Sequence, residues 1–256
     1  MLDNYESFKK DVYALTKIDL NCYKEKQMRR RINTLITKNK LKTYEEYVNL
    51  IKTNNEKFEE FVNFLTINVS EFYRNTDQWQ LLDKEIFPKL VDGKRQIKIW
   101  SAACSTGDEP YSLAMALSKH TSLSNLKIIA TDIDKQALAQ AKVGLYNTKS
   151  VAGVPDEMKK KYLVKVGSSY KVVDEIKKCV EFKEHNLLKD PYPSDCDMIV
   201  CRNVVIYFTD EAKDEIYKKF YKSLKKGGYL FIGSTEQIMN YKEMGYLRHS
   251  SFFFEK

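Results

Sequence analysis

The residues whose types and spacing point most directly to chemistry are Ser101-Ala-Ala-Cys-Ser-Thr-Gly107. They follow the strand-like Gln96-Ile-Lys-Ile-Trp100 and lead into the helix-like Glu109-Pro-Tyr-Ser-Leu-Ala-Met-Ala-Leu117. A short loop of small residues between strand and helix lets backbone come close to a bound ligand. Its N–H groups and the helix N-terminus favour an anionic group such as a carboxylate. Further on, Ile128-Ile-Ala-Thr131 reads as the next strand and ends at Asp132, where nucleotide-type α/β folds place a ribose-binding carboxylate. Together these features predict an adenosine-containing cofactor.

Glycine count separates the rival cofactors. A dinucleotide site needs G-x-G-x-x-G, whereas this loop holds Gly107 alone, and no G-x-x-x-x-G-K-[ST] occurs for ATP. S-adenosylmethionine carries a carboxylate, an amine, a ribose and an adenine but no phosphate, and suits a small-residue loop followed by an acid. Structural readings stand beside this one. Thr106-Gly-Asp-Glu109 also spells a capping box, and Asp132 also fits a cap for a helix beginning near Ile133.

The elements that must position these residues divide the chain by pattern. Residues 1 to about 75 contain neither glycine nor proline, and Phe58, Phe61, Val62, Leu65 and Val69 recur at helical steps, as do Met28, Ile32 and Leu35. A bundle of short helices is expected there. From residue 76 to 256 strand-like runs (Ile97–Trp100, Ile128–Ala130, Met198–Cys201, Tyr229–Ile232) alternate with helical stretches, the βαβ signature of a parallel sheet. Between about 144 and 178 the alternation breaks, and Leu163–Val166 and Ser169–Val173 flank Gly167-Ser168 as an inserted hairpin. Tyr246–Phe254 reads as a last strand or hairpin arm.

Composition bounds the class. The 256 residues are 43% hydrophobic and 12% aromatic, enough for one large domain and a small one. The five cysteines are scattered with no C-x-x-C, so neither a disulfide framework nor a metal site is expected. The amino-terminal Met1-Leu-Asp-Asn-Tyr-Glu6 lacks a signal pattern, and no apolar run reaches the ~20 residues of a membrane span, so a cytoplasmic protein without membrane insertion is expected. The net charge of +8 predicts an acidic partner without naming it.

Five strings, in order, carry a resemblance: Asn68-Val-Ser-Glu-Phe-Tyr-Arg74, Trp100-Ser-Ala-Ala-Cys-Ser-Thr-Gly-Asp-Glu-Pro-Tyr-Ser112, Thr131-Asp-Ile-Asp134, Asn186-Leu-Leu188 and Cys201-Arg-Asn-Val-Val-Ile-Tyr-Phe208. The chain resembles the chemoreceptor glutamate methyltransferases of the CheR family, nearly end to end. The resemblance implies an α/β fold: a class I methyltransferase Rossmann-like sheet domain with a small inserted β-subdomain and an N-terminal helical domain. It implies transfer of a methyl group from S-adenosyl-L-methionine to receptor glutamates, leaving S-adenosyl-L-homocysteine. Carried over by position, it implies donor contacts from Asn68, Ser70, Arg74, Asp108, Asp132, Asn186, Leu187, Arg202 and Asn203. Arg74 would pair the methionine carboxylate, Asp132 the ribose, and Asn186 and Leu187 the adenine. Asp108 stands where the family usually has Glu, one methylene longer. Arg202 or Tyr207 would orient the acceptor.

A glutamate carboxylate is already nucleophilic at neutral pH, so no general base is needed, and His120, His185 and His249 lie outside the matched strings. Alignment of reactants in a water-excluding site would supply much of the acceleration. Asn203 is followed by Val204-Val205-Ile206-Tyr207 rather than the P-P-Y common in enzymes that methylate nitrogen, and Cys201 follows Val200 rather than proline. Both point toward oxygen. Lys24–Lys42 holds eight Lys or Arg against the single acid Glu25, and on a helical wheel Lys26, Arg29, Arg30 and Asn33 gather opposite Met28, Ile32 and Leu35. That face is expected to dock the acidic methylation helices of methyl-accepting chemoreceptors. The short turn Val166–Tyr170 predicts weak or no tethering to a receptor's terminal peptide. A monomer that does not bind nucleic acid is expected. Two other readings remain: a methyltransferase acting on nucleic acid, supported by charge alone, and a non-catalytic sensor of the donor or its product.

Overall fold

The computed structural model describes residues 4–94 and 96–256, so the reading of the first three residues lies outside it. The chain divides into two compact units, one running to Asn68 and including Tyr207–Lys213, the other holding Val69–Ile206 and Asp214–Lys256.

The first unit is built on four helices: α1 (Tyr5–Thr16), α2 (Glu25–Lys38), α3 (Tyr44–Thr53) and α4 (Asn55–Thr66). In α2 the buried residues are Met28, Ile32, Leu35 and Ile36, an i, i+4, i+7, i+8 stripe that turns the remaining positions outward. Helix α3 starts on a capping box: the Glu46 N–H donates to Thr43 Oγ1 at 3.1 Å and the Thr43 N–H to Glu46 Oε2 at 3.1 Å. Phe8, Tyr47 and Phe61 meet edge to face at the centre. The later segment joins through the Tyr23–Phe208 bridge, where the two rings lie 4.8 Å apart.

The second unit begins with Val69–Asn75, leading into α5 (Thr76–Leu81) and α6 (Phe87–Val91). Phe72 and Tyr73 are buried in its core, the Phe72 N–H donates to Ser150 O at 3.0 Å and the Tyr73 N–H to Ser112 Oγ at 3.1 Å. These bonds draw the boundary back to Asn68, ahead of the expected 75. The chain continues through β1 (Ile97–Ala102), α7 (Asp108–Leu117), β2 (Leu126–Asp132), α8 (Lys135–Val143), β3 (Leu145–Asn147), α9 (Asp156–Tyr162), β4 (Leu163–Val166), β5 (Ser169–Val172), α10 (Asp174–Lys177) and β6 (Val180–Glu184). It closes with β7 (Cys196–Cys201), α11 (Asp210–Ser223), β8 (Leu224–Ile232), β9 (Leu247–Arg248) and β10 (Phe253–Glu255).

The main sheet has the order β6-β2-β1-β7-β8-β10-β9, parallel from β6 to β8 and antiparallel beyond. From β1 the chain moves outward to β2 and β6, then returns to place β7 on the other side of β1. This reversal is the topological switch point, and ligands of open α/β sheets bind at the carboxyl ends of the strands flanking it. Here those ends are Ser101-Ala102 and Cys201. The insert is a three-stranded antiparallel sheet, β3-β5-β4. The expected hairpin forms its β4–β5 pair, and β3 completes it.

Candidate active site

The loop after β1 is strained and held from several sides. Ala103 (φ 66°) and Ser105 (φ 48°) adopt left-handed backbone without being glycine, costing roughly 1–2 kcal/mol each. Countering that, the Cys104 N–H donates to Thr131 O at 2.8 Å, the Ser105 N–H to Asp132 Oδ2 at 2.7 Å and the Tyr146 hydroxyl to Thr106 O at 2.6 Å. Gly107 (φ 88°) is required twice over, because an added Cβ would lie 2.8 Å from Ala141 Cβ. The expectation that the loop's N–H groups cradle a ligand carboxylate narrows accordingly, since those of Cys104, Ser105 and Gly107 are spent within the protein.

The loop presents an acceptor instead. Asp108 opens α7 with its carboxyl buried; Oδ2 accepts from Thr106 Oγ1 at 2.6 Å, while Oδ1 is buried with no hydrogen-bond partner. Burial raises its pKa, opposed by the hydroxyls of Thr106 and Ser70 beside it. A buried carboxylate oxygen with nothing bound fits an ammonium group. The capping-box reading is overturned, because Gly107 takes the cap position without a side-chain bond and Glu109 turns to other partners.

Asp132 ends β2 and does not cap α8; that role falls to Asp134, whose carboxylate accepts the N–H groups of Gln136 and Ala137. Asp132 accepts from Ser105 N–H and from Asp134 N–H at 2.9 Å, so it ties the β1 loop to β2, and burial pushes its pKa up to about 6. The Ile133 N–H also donates to it, and the carboxylate keeps acceptor capacity for a ribose hydroxyl. Asn186 shapes the turn after β6, with Oδ1 accepting the Leu188 N–H at 2.9 Å, and the buried Leu187 offers its carbonyl to the Tyr192 hydroxyl at 2.7 Å.

The end of β7 is a dense polar junction. The Arg202 side chain is 2% exposed and lies over the Phe231 ring at 4.6 Å. Its Nη2 reaches Arg74 O at 2.8 Å, Asn75 Oδ1 at 2.9 Å and Gln78 Oε1 at 2.8 Å, and Nη1 faces Glu109 Oε2 at 3.6 Å. Its Nε is buried without a partner. Glu109 also accepts from the Ser101 hydroxyl at 2.9 Å, and burial raises its pKa against the pull of Arg202. Asn203 is left-handed (φ 61°), with Oδ1 buried and unpartnered. Arg74 is half-buried and its guanidinium donates to Val69 O at 3.2 Å. In the second unit the structure thus brings together Ser70 with Asp108, Asp132 with the β1 loop, and Arg202 with the Arg74 segment.

In the helical unit, the Asn68 amide donates to Thr66 Oγ1 at 3.1 Å, and the Tyr207 carbonyl accepts the Lys24 N–H at 2.9 Å. A groove of about 1040 Å³ runs along α2, lined by Glu25, Lys26, Arg29, Arg30, Asn33, Thr34, Thr37 and Lys38. Arg29 Nε donates to the Tyr44 hydroxyl at 3.3 Å, which donates in turn to Asn33 Oδ1 at 2.8 Å; Lys26 and Arg30 are exposed. Arg31 turns away, its guanidinium over the Phe64 ring.

Residues 3–66 match the family described as CheR methyltransferase, all-alpha domain, and residues 68–253 match CheR methyltransferase, SAM binding domain. The chain belongs to the CheR methyltransferase family. A chemotaxis protein methyltransferase of Listeria innocua is 39% identical over 240 residues, covering 93% of this chain and 92% of the relative. One of Borreliella burgdorferi is 32% identical over 257 residues, covering 95% and 91%, and chemotaxis protein methyltransferase 1 of Pseudomonas aeruginosa is 35% identical over 250, covering 93% and 91%. The CheR enzyme therefore uses S-adenosylmethionine, and the unpartnered Asp108 Oδ1 fits a donor bearing an ammonium.

Sequence reasoning missed two buried acids of this CheR protein. Glu109 has only a capping role by sequence pattern; its contacts with Ser101, on the preceding strand, and with Arg202, 93 residues on, leave no local signal. Glu236 was not singled out; it accepts N–H groups from Val204, Val205 and Gly233, and its signal was the Gly233-Ser-Thr-Glu turn directly after a strand.

Proposed function

We propose that this CheR-family enzyme methylates glutamate side-chain carboxylates of membrane chemoreceptors, giving the glutamyl methyl esters used in chemotactic adaptation, and that it works in the cytoplasm. The observation that carries the reading is the basic groove on α2, which suits an acidic helical protein surface. Among the described residues no helix is long and apolar enough to cross a membrane.

The donor, when bound, supplies a methyl group activated by its sulfonium. Asp108 accepts from its ammonium, Arg74 pairs its carboxylate, Asp132 takes its ribose hydroxyls, and Asn186, Leu187 and Asn203 border its adenine and reacting end. Asn68 and Ser70 are assigned to the same task. Arg202 is assigned a role through the Arg74–Gln78 segment that it holds, because its guanidinium is already committed there; Tyr207 is then the proposed orienting hydroxyl for the acceptor. The acceptor carboxylate needs no base, and the three histidines have other engagements: His120 with Asp83, His249 with Glu85, and His185 with Pro191 O. Exclusion of water from oppositely charged reactants does the rest, since water favours the separated charges over the transition state.

Incubation with methyl-labelled donor and receptor cytoplasmic fragments should place label on the fragments, released as methanol by mild base. Label on RNA or DNA at physiological salt, or none on the fragments, overturns the reading. Formation of S-adenosylhomocysteine only when receptor is added distinguishes the enzyme from a sensor.

A further inference from the structure

We propose that Glu236 is a positioning residue for donor binding, its buried carboxylate filling a nest of backbone N–H groups and so fixing the turn that carries Asn203. This rests on the reading that places Asn203 against the donor.

The carboxylate is 4% exposed and bridges two loops. Its Oε1 accepts from Val204 N–H at 2.9 Å and Val205 N–H at 3.1 Å, directly after the left-handed Asn203, and its Oε2 accepts from Gly233 N–H at 2.6 Å. Successive N–H groups beside a left-handed residue form a concavity that binds anions. Here the chain supplies its own anion. The approach is tight enough to exclude a side chain at Gly233, where an added Cβ would stand 2.8 Å from both Asn203 N and Glu236 Oε2. Burial raises the Glu236 pKa while these N–H groups, with that of Asn203, pull it down. Without the carboxylate, buried N–H groups lose their acceptor beside the strained, left-handed Asn203 backbone. The unpartnered Asn203 Oδ1 would then be free to move. Glu236 touches neither donor nor acceptor in this account; it acts through Asn203.

Chemical rescue separates this role from a general contribution to folding. Glu236→Ala should weaken S-adenosylhomocysteine binding, measured by calorimetry, by about tenfold or more. Added formate should refill the nest and recover most of that loss, while equal chloride should not, and wild-type affinity should be insensitive to formate. Wild-type affinity in Glu236→Ala, or a loss that formate leaves untouched, overturns the proposal. If Glu236→Ala does not fold, Glu236→Gln decides: weaker binding at an unchanged melting temperature supports it, and unchanged binding at a lowered melting temperature refutes it. Asn203→Ala with wild-type affinity would overturn the placement of Asn203 and the proposal together. Loss in Asn203→Ala without loss in the Glu236 variants overturns the proposal alone.

Discussion

Replacing Arg202 by Met should test the polar junction quantitatively. The side chains of Arg202 and Glu109 are 2% and 14% exposed, and Arg202 ties Arg74 O, Asn75 and Gln78 to the end of β7. Removing one member of a buried pair typically costs about 3–5 kcal/mol, because the other charge is left uncompensated. For a chain of this size that corresponds to a melting-temperature fall of roughly 6–20 °C. The pH dependence has a definite sign. Burial already raises the Glu109 pKa, with Arg202 pulling it back. An acid whose folded pKa exceeds its unfolded value loses stability as pH rises through the folded pKa, and without Arg202 that pKa rises further. The deficit of Arg202→Met should therefore be largest above neutrality and shrink toward mildly acid pH, read by urea unfolding across the range. Adding Glu109→Gln should recover a large part of it, since the buried charge is then gone. A deficit under about 1 kcal/mol, or one flat with pH, would refute the reasoning.

Asp108→Asn should weaken S-adenosylhomocysteine binding about tenfold to a hundredfold by calorimetry, one charge-assisted hydrogen bond being lost. In the wild type that affinity should fall as pH drops through the raised Asp108 pKa, at a pH higher than an ordinary aspartate would require. Arg29→Glu with Arg30→Glu should cut receptor methylation, steeply at low salt and less at high salt, while donor affinity in calorimetry holds. Gly107→Ala should destabilise by about 2–4 kcal/mol in urea unfolding, combining a left-handed alanine with a Cβ clash.

What was legible in the sequence followed from periodicity and loop chemistry. Ile128–Ala130 and Met198–Cys201 announced β2 and β7 because strands buried on both faces read as apolar runs, and Ile97–Trp100 announced β1 although Lys98 interrupts it. Strand β6, Val180–Glu184, did not announce itself: it lies at the sheet edge, is half solvated, and is charged at Glu181, Lys183 and Glu184. Strand β3 has three residues, too few for alternation to show. Asp132 was readable from its place at a strand end, and Asp108 came only through the family resemblance; the partners of neither were readable. That Ser105 N–H belongs to Asp132, or that Arg202 is tied to Gln78, depends on contacts between residues far apart in the chain, and no local pattern encodes these. The boundary near 75 was placed by the absence of glycine and proline, whereas Phe72 and Tyr73 are claimed by the core of the sheet unit.

The helical unit is sewn from two separate lengths of chain, the first ending at Asn68 and the second being Tyr207–Lys213. Its short second thread arrives only after the whole stretch Val69–Ile206 has been made, and with it come the Phe208 ring against Tyr23 and the Thr209 N–H to Cys22 O. During synthesis the first thread therefore emerges from the ribosome lacking one wall. A truncated peptide stopping at Asn68 should be less protected from protease than the same residues in the intact chain.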